Sequence, residues 1–409
     1  MKKKEKQGVN RRLSWWVGLC LVILLGTSTR LSAQATLSDQ AEISFLISAP
    51  YDEAAFTVFG HAAIRVYDPV TRFDGVFNYG IFDFSSPNFV WRFALGHTDY
   101  ILGINDYKQY LANYQMRGSD VTELVLNLTP YEKQGLFEGL ILNAQPENRT
   151  YRYNFFFDNC ATRLPAMVER YTRGEVIYHN PPAPQSFRQM VHDCTRHRTW
   201  LTFGIDLALG SPADRVATPH EMMFLPSFVM QAYEHASILD PEGTEREMVS
   251  EKRVNKAFEE EDTFDILDDL LTPMVCGWLL FLVVLFFTYR AWKQKRAYNG
   301  LDILLFSLAG IGGCVLFFLC FVSVHPCIWP NWSVVWLHPL HWVGVVLFSV
   351  KKMNKAAYWY HFINFAALSL LLIGWFFIPQ QMNAAFIPLI LILWMRSGYR
   401  IYDKKRTKK

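Results

Sequence analysis

Residues 154–163 read NFFFDNCATR. Three phenylalanines lead into Asp158, Asn159 and Cys160. A helical pattern then begins at once: Ala161, Leu164, Met167 and Val168 are apolar, with Arg163, Glu169 and Arg170 between them. The pattern sets Cys160 in the first turn of a helix. Unpaired backbone N–H groups and the positive end of the helix dipole face its sulfur there. That environment lowers a thiol pKa and favours a nucleophilic thiolate. The competing reading is a small, inert core cysteine, and the rest of the chain decides between them.

The 409 residues are 51% apolar and 16% aromatic, unevenly spread. Residues 35–265 read as a mixed globular sequence, whereas 272–395 are dominated by apolar runs. A net charge of only +3 gives no reason to expect a nucleic-acid partner. Positive charge gathers at the two ends and in short loops, as in a membrane protein. Of seven cysteines, Cys20 lies in the N-terminal apolar run, Cys276, Cys314 and Cys320 in expected spans, and Cys327 just beyond one. Only Cys160 and Cys194 fall in the soluble part. In an oxidising compartment a disulfide between them is the alternative to a free Cys160.

Lys2, Lys3, Lys4, Lys6, Arg11 and Arg12 precede an apolar stretch, residues 15–26, and then Leu31-Ser32-Ala33. This is the pattern of a secretory signal over residues 1–33, with an uncleaved anchor as the alternative. Either way the chain from Gln34 onward is exported. Residues 34–239 form the expected exported domain, of α+β class. Strands are expected over 42–48, 54–67, 76–84 and 121–128, the second and third as a hairpin. In the second, alternation puts His61, Ala63 and Arg65 on one face. An aromatic patch, residues 89–100, contacts lipid or packs a core. Thr129 caps a helix over 130–143, with Pro130 at its first position and Glu132 at its third. A short strand over 151–157 delivers Cys160. Helices are expected again over 185–196, in the segment 200–226 and over 226–237. Residues 240–271 are strongly charged and read as a solvated helix or linker.

About five membrane spans follow in a transmembrane domain over 272–399: residues 273–289, 301–324, 332–350, 356–378 and 384–394. The loops after the first and third are basic, as is the tail over 400–409; the other two loops carry no charge. By the positive-inside rule the basic segments are cytoplasmic. The chain is then a multi-pass protein of the inner membrane, with its exported domain in the periplasm and its C-terminus in the cytoplasm. The exported start of the chain and the loop charges agree on this topology.

A cysteine nucleophile needs a base and a group to orient it. His61 follows a glycine at the start of a strand, and its near-neutral pKa suits proton transfer. Asn78 on the paired strand is the candidate orienter, with Asp158 or Tyr79 as alternatives. The Cys160 backbone N–H would meet the oxyanion. His-strand before Cys-helix is the permuted order of a papain-like fold. The motif DNCATR resembles that of the lecithin:retinol acyltransferase group.

The resemblance extends further. GHAAIRVYDP (60–69), FNYGIFDF (77–84), YNFFFDNCATR (153–163), FGIDLALGSPAD (203–214) and HPCIWPN with WLHPL (325–331 and 336–340) resemble the Lnb-type lipoprotein N-acyltransferases. None of these segments departs from the pattern. The resemblance covers nearly the whole mature chain. It implies a permuted NlpC/P60- or lecithin:retinol acyltransferase-like Cys–His domain followed by an all-α membrane bundle. It also implies transfer of an acyl chain from a membrane phospholipid, through a thioester on Cys160 with His61 as base, to the amine of a diacylated lipoprotein. Asn159, Tyr79 and Arg163 are candidate substrate contacts. So are His325, Asn331 and Trp336, in a Trp- and His-rich loop expected to form a floor beneath Cys160. No HExxH or CxxC spacing exists, so neither metal nor cofactor is expected. The competing functions are a cell-wall peptidase or amidase of NlpC/P60 type and a non-catalytic membrane scaffold or receptor.

Overall fold

The computed structural model describes residues 36–51, 53–82, 88–258 and 270–406. The expected signal segment, including Cys20, lies outside the described residues.

Strand β1 (Glu42–Ser48) pairs with β2 (His61–Asp68), and β2 with β3 (Phe73–Phe82). Helix α1 (Phe89–Leu95) leads to β4 (Asp99–Asp106), which pairs with β3. Helix α2 (Tyr107–Gln115) crosses back to β5 (Val121–Leu126), beside β1. Helix α3 (Pro130–Asn143) follows, then the short β6 (Thr150–Arg152) and α4 (Cys160–Tyr171). Thereafter come β7 (Glu175–Tyr178), α5 (Phe187–Thr195), α6 (Thr199–Ala208), the one-turn α7 (Pro219–Met222) and α8 (Pro226–Glu234). The strands β8 (Ala236–Leu239), β9 (Glu245–Glu247) and β10 (Val249–Asn255) complete this part. Seven strands make one antiparallel sheet in the order β10-β5-β1-β2-β3-β4-β6, and β7, β8 and β9 make a second, smaller one.

Alternation along the strands divides the core. Leu46, Ala63, Val76 and Val121 pack beneath Tyr110 of α2. Their neighbours Phe45 and Phe77 point the other way, to Tyr233 of α8 and Phe137 of α3. Helix α3 starts at a capping box in which Thr129 and Glu132 satisfy each other's backbone N–H groups.

The strands β9 and β10 correct the sequence reading of a solvated helix or linker after residue 239. The strand β10 is an edge strand, and edge strands carry charge against unwanted pairing. Its Arg253 bridges Glu42 and Glu251. Such a composition, read without its partner strand, resembles a soluble helix.

The C-terminal helices are α9 (Pro273–Gln294), α10 (Asn299–Phe321), α11 (His341–Ser349), α12 (Asn354–Ile373) and α13 (Phe386–Arg406). Among the described residues three helical stretches are long and apolar enough to cross a membrane: Pro273–Gln294, Asn299–Phe321 and Lys351–Ile373. The stretch expected as the third span is not one helix. It is a 3-10 turn, Trp332–Val335, followed by the nine residues of α11. Pro339 explains the break, because proline lacks the N–H a helix needs and disfavours a helical residue before it. Trp336 and Leu337 in the break are buried in the bundle core, where irregular backbone is shielded from lipid.

Two of the quoted motifs meet at the seam between the sheet domain and the helices. Gly210 N–H donates to the Cys327 carbonyl and Ser211 N–H to the Pro330 carbonyl, both at 2.8 Å. Asn331 Nδ2 donates to the carbonyls of Leu207 and Ala208, each at 3.0 Å. Asn383 Nδ2 donates to Asp206 Oδ2 at 2.8 Å. A Cβ on Gly210 would lie 2.3 Å from the Pro330 oxygen, so only glycine permits this approach. Beneath the seam, fully buried Arg188 holds Asp206 and Asp214, each at 2.8 Å.

Candidate active site

The start of α4 is locked by its own sequence. Asn154 Oδ1 accepts from the N–H groups of Phe156 and Phe157, turning the chain sharply. Asn159 then caps the helix: its Oδ1 accepts from Ala161 and Thr162, while Thr162 Oγ1 accepts from the Asn159 N–H. Asn159 Nδ2 donates to the carbonyls of Phe155 and Phe224, both at 2.8 Å. Every polar group of this buried side chain is engaged in holding Cys160 at the first position of the helix.

The paired strands supply the histidine. Pairing of β2 with β3 runs from Asp68 only as far as Ile64, opposite Phe77. Beyond it, β3 bulges against β4 between Asn78 and Ile81. Among the described residues, the first residues of β2 thus have no strand partner on that side. His61 Nε2 lies 2.9 Å from Asn78 Oδ1. The same oxygen accepts from the Gly80 N–H at 2.8 Å. A backbone N–H only donates, so this atom of Asn78 is the oxygen, and His61 Nε2 must carry its proton. The imidazole also faces Cys160, and the two groups influence each other's ionisation. With Nε2 engaged by Asn78, the nitrogen left for the thiol is Nδ1, in its unprotonated form.

The electrostatics favour charge separation. Burial opposes ionisation of the Cys160 thiol, yet its pKa is lowered by His61 and by the nearby backbone N–H groups of Ala62 and Ala161. His61 is likewise raised above its ordinary value: burial pulls it down, and Cys160 and Asn78 outweigh that. Each partner thus stabilises the ionised form of the other.

Cys160, His61 and Asn78 line one cavity of about 250 Å³. Its wall is largely aromatic, including Phe59, Phe82, Tyr100, Tyr153, Phe155 and Phe224. The Tyr114 ring of α2 lies parallel to the imidazole. Burial pushes the Tyr100 phenol up to about 12, so it stays neutral. Cys160 and Cys194 are both free thiols, which excludes the disulfide alternative in this structure.

Residues 30–192 match the family model of the Lnb N-terminal periplasmic domain, and residues 265–408 that of the Lnb transmembrane domain. The chain belongs to the Lnb family. No curated protein and no solved structure gives a match. The sheet domain is thus periplasmic and the C-terminal helical domain spans the membrane. The first match contains His61, Asn78 and Cys160; the second contains the loop over 325–341.

The other candidates stand elsewhere. Tyr79 is buried, its hydroxyl accepting from Asn143 Nδ2 at 2.9 Å. Arg163 binds Asp158 through two nitrogens, at 2.7 and 2.8 Å, and its guanidinium lies 3.8 Å from the Tyr151 ring centroid. It borders a separate groove with Asn143, Met167 and His220. None of His325, Asn331 and Trp336 lines the Cys160 cavity. The loop bearing them is not a floor for Cys160: Asn331 fastens the Lnb transmembrane domain to α6, Trp336 packs in the bundle and His325 packs against α1. Sequence reading passes over Gly80. A Cβ there would lie 2.4 Å from His61 Cε1 and 3.2 Å from Asn78 Oδ1. Its only sequence signal is a glycine inside a strand pattern, which marks a bulge or a close approach.

Proposed function

We propose that the chain is a membrane-bound lipoprotein N-acyltransferase that works through a thioester on Cys160. The observation carrying this reading is the Cys160–His61–Asn78 constellation in an aromatic cavity of a periplasmic domain fused to a membrane domain. An acyl donor and a lipidated acceptor both reside in a bilayer, and an apolar cavity suits an acyl chain. The proposed topology has five crossings, with α11 and α13 completing the bundle and the basic C-terminus in the cytoplasm.

In the first half-reaction His61 Nδ1 takes the Cys160 proton and the sulfur attacks the ester carbonyl of a phospholipid. The C–O bond breaks, the imidazolium proton passes to the departing oxygen, and lysophospholipid leaves. In the second, the neutral α-amine of a diacylglyceryl-cysteine lipoprotein attacks the thioester. His61 takes the amine proton, the C–S bond breaks, and the proton returns to sulfur as the amide is released. The Cys160 N–H, first in its helix and lacking an intrahelical acceptor, serves the oxyanion of both tetrahedral intermediates. Aromatic walls keep water from the thioester and so favour aminolysis over hydrolysis. No metal or cofactor takes part.

The test is to incubate the purified full chain with phospholipid vesicles and no acceptor, then analyse the Cys160 peptide by mass spectrometry. The expected result is an added acyl mass that hydroxylamine removes and that transfers to a diacylated lipopeptide. Acyl transfer by wild type without any acylation of Cys160 overturns the thioester scheme.

A further inference from the structure

Helix α1 joins the Cys160 cavity to the end of a membrane span. On its cavity side, Phe82 ends the strand before it and Tyr100 stands in the strand after it; both line the cavity, with ring centroids 5.0 Å apart. Arg92 of α1 is bonded to Asp99, which also receives Arg152 at 2.6 Å. These pairs tie the helix to the cavity rim. On its membrane side, the Val324 N–H donates to the Leu95 carbonyl at 2.9 Å and His325 Nε2 to the Phe93 carbonyl at 3.1 Å. The Trp91 ring lies 5.4 Å from Phe318, in the last turn of α10. Helix α1 therefore stands where a span leaves the bilayer.

At that level it presents large apolar side chains outward. Val90 is 79% exposed, Trp91 58% and Phe93 53%. Phe56, also exposed, packs its edge on Phe82 and extends the apolar surface to the cavity. A tryptophan and an arginine beside aliphatic and phenyl groups is the composition of a segment lying in a membrane interface.

We propose that α1 is inserted in the periplasmic leaflet of the membrane and forms the lip over which a phospholipid acyl chain passes from the bilayer to Cys160. The insertion stands on the contacts of α1 alone; the role as a lip rests on the acyltransferase reading above. The membrane, rather than a protein partner, covers this face because α1 is bonded directly to the end of an apolar span.

The test uses the full chain in phosphatidylethanolamine/phosphatidylglycerol vesicles, with a benzophenone amino acid in place of Val90 or Phe93. Phe317 on α10 is the lipid-facing control and Tyr131, exposed at the start of α3, the aqueous one. Lipid adducts at 90 and 93 matching those at 317, and at least about fivefold above 131, are expected. Adducts at 317 alone, or adducts at 90 and 93 to protein, overturn the insertion. In a second arm, the double variant Val90→Asp/Phe93→Asp is supplied with long-chain phospholipid in vesicles or with a monomeric short-chain phospholipid. Transfer from the vesicle donor is expected to fall about tenfold relative to the monomeric one. Equal loss with both donors overturns the lip. Should wild type transfer from neither donor, the acyltransferase reading fails, and the crosslinking result still decides where α1 lies.

Discussion

Asn78 Oδ1 receives two donors, His61 Nε2 at 2.9 Å and the Gly80 N–H at 2.8 Å. The backbone bond holds the amide in one orientation, and the amide holds the imidazole in one tautomer. Asn78→Ala removes that control while leaving both reacting atoms present. The expected outcome is a fall in kcat of about a hundredfold with little change in KM, because general-base action depends on the orientation of the ring. Steady-state transfer to a diacylated lipopeptide measures it.

Gly80→Ala is expected to act through the same ring. Its methyl group would lie 2.4 Å from His61 Cε1, so the imidazole must move away. A small drop in thermal stability with a kcat loss of at least about tenfold is the expected pattern. Loss of stability with normal kcat would show that the bulge relaxes instead.

The two free thiols of the periplasmic domain should differ in reactivity. Burial pushes Cys194 up to about 11, whereas Cys160 is held below the ordinary thiol value despite its burial, chiefly by His61. Alkylation requires thiolate. Peptide mass spectrometry after iodoacetamide treatment at neutral pH should find Cys160 modified and Cys194 spared. Reactivity of Cys160 should fade as pH drops through its lowered pKa. In His61→Ala, which removes the main opposing influence, the profile should shift to higher pH.

Arg188 is the group whose loss should cost most at the seam. It is fully buried between Asp206 and Asp214, so Arg188→Ala takes the guanidinium from both carboxylates and leaves Asp206 with His192 and Asn383 alone. A loss of about 3–5 kcal/mol is expected. Arg215→Ala, at a half-exposed pair with Glu221, should change stability by less than about 1 kcal/mol. Denaturation of the protein in nanodiscs compares the two. The pH dependence has a definite sign. Burial raises the Asp206 pKa, but His192 and Arg188 outweigh it and hold the carboxyl below its ordinary value. Its stabilising contribution is thus present above the unfolded carboxyl pKa and lost as pH falls through the folded one.

What the sequence reveals follows the range of the interactions. The Asn159 and Thr129 caps act over three residues, so the starts of α4 and α3 are legible in the chain itself. His61 and Asn78 lie on a hairpin, which makes their meeting a short-range inference. Gly80 is harder to read, because its contact depends on a bulge. The motifs at 203–214 and 325–331 stand out in the sequence, but their shared role emerges only where Gly210 and Ser211 meet the carbonyls of Cys327 and Pro330. The strand β10 is hidden by its charges, and the third expected span is broken at Pro339. In the loop over 325–341, aromatic and histidine content suggests a substrate floor, whereas Asn331 spends its amide on the carbonyls of α6.

The central claim is tested most directly by mass spectrometry of lipoprotein N-terminal lipopeptides. Cells lacking this activity are re-supplied with the wild-type chain or with Cys160→Ala. The expected result is conversion of diacyl to triacyl N-termini by wild type alone. Unchanged diacyl lipopeptides with wild type, or triacyl lipopeptides with Cys160→Ala, would contradict an N-acyltransferase acting through Cys160.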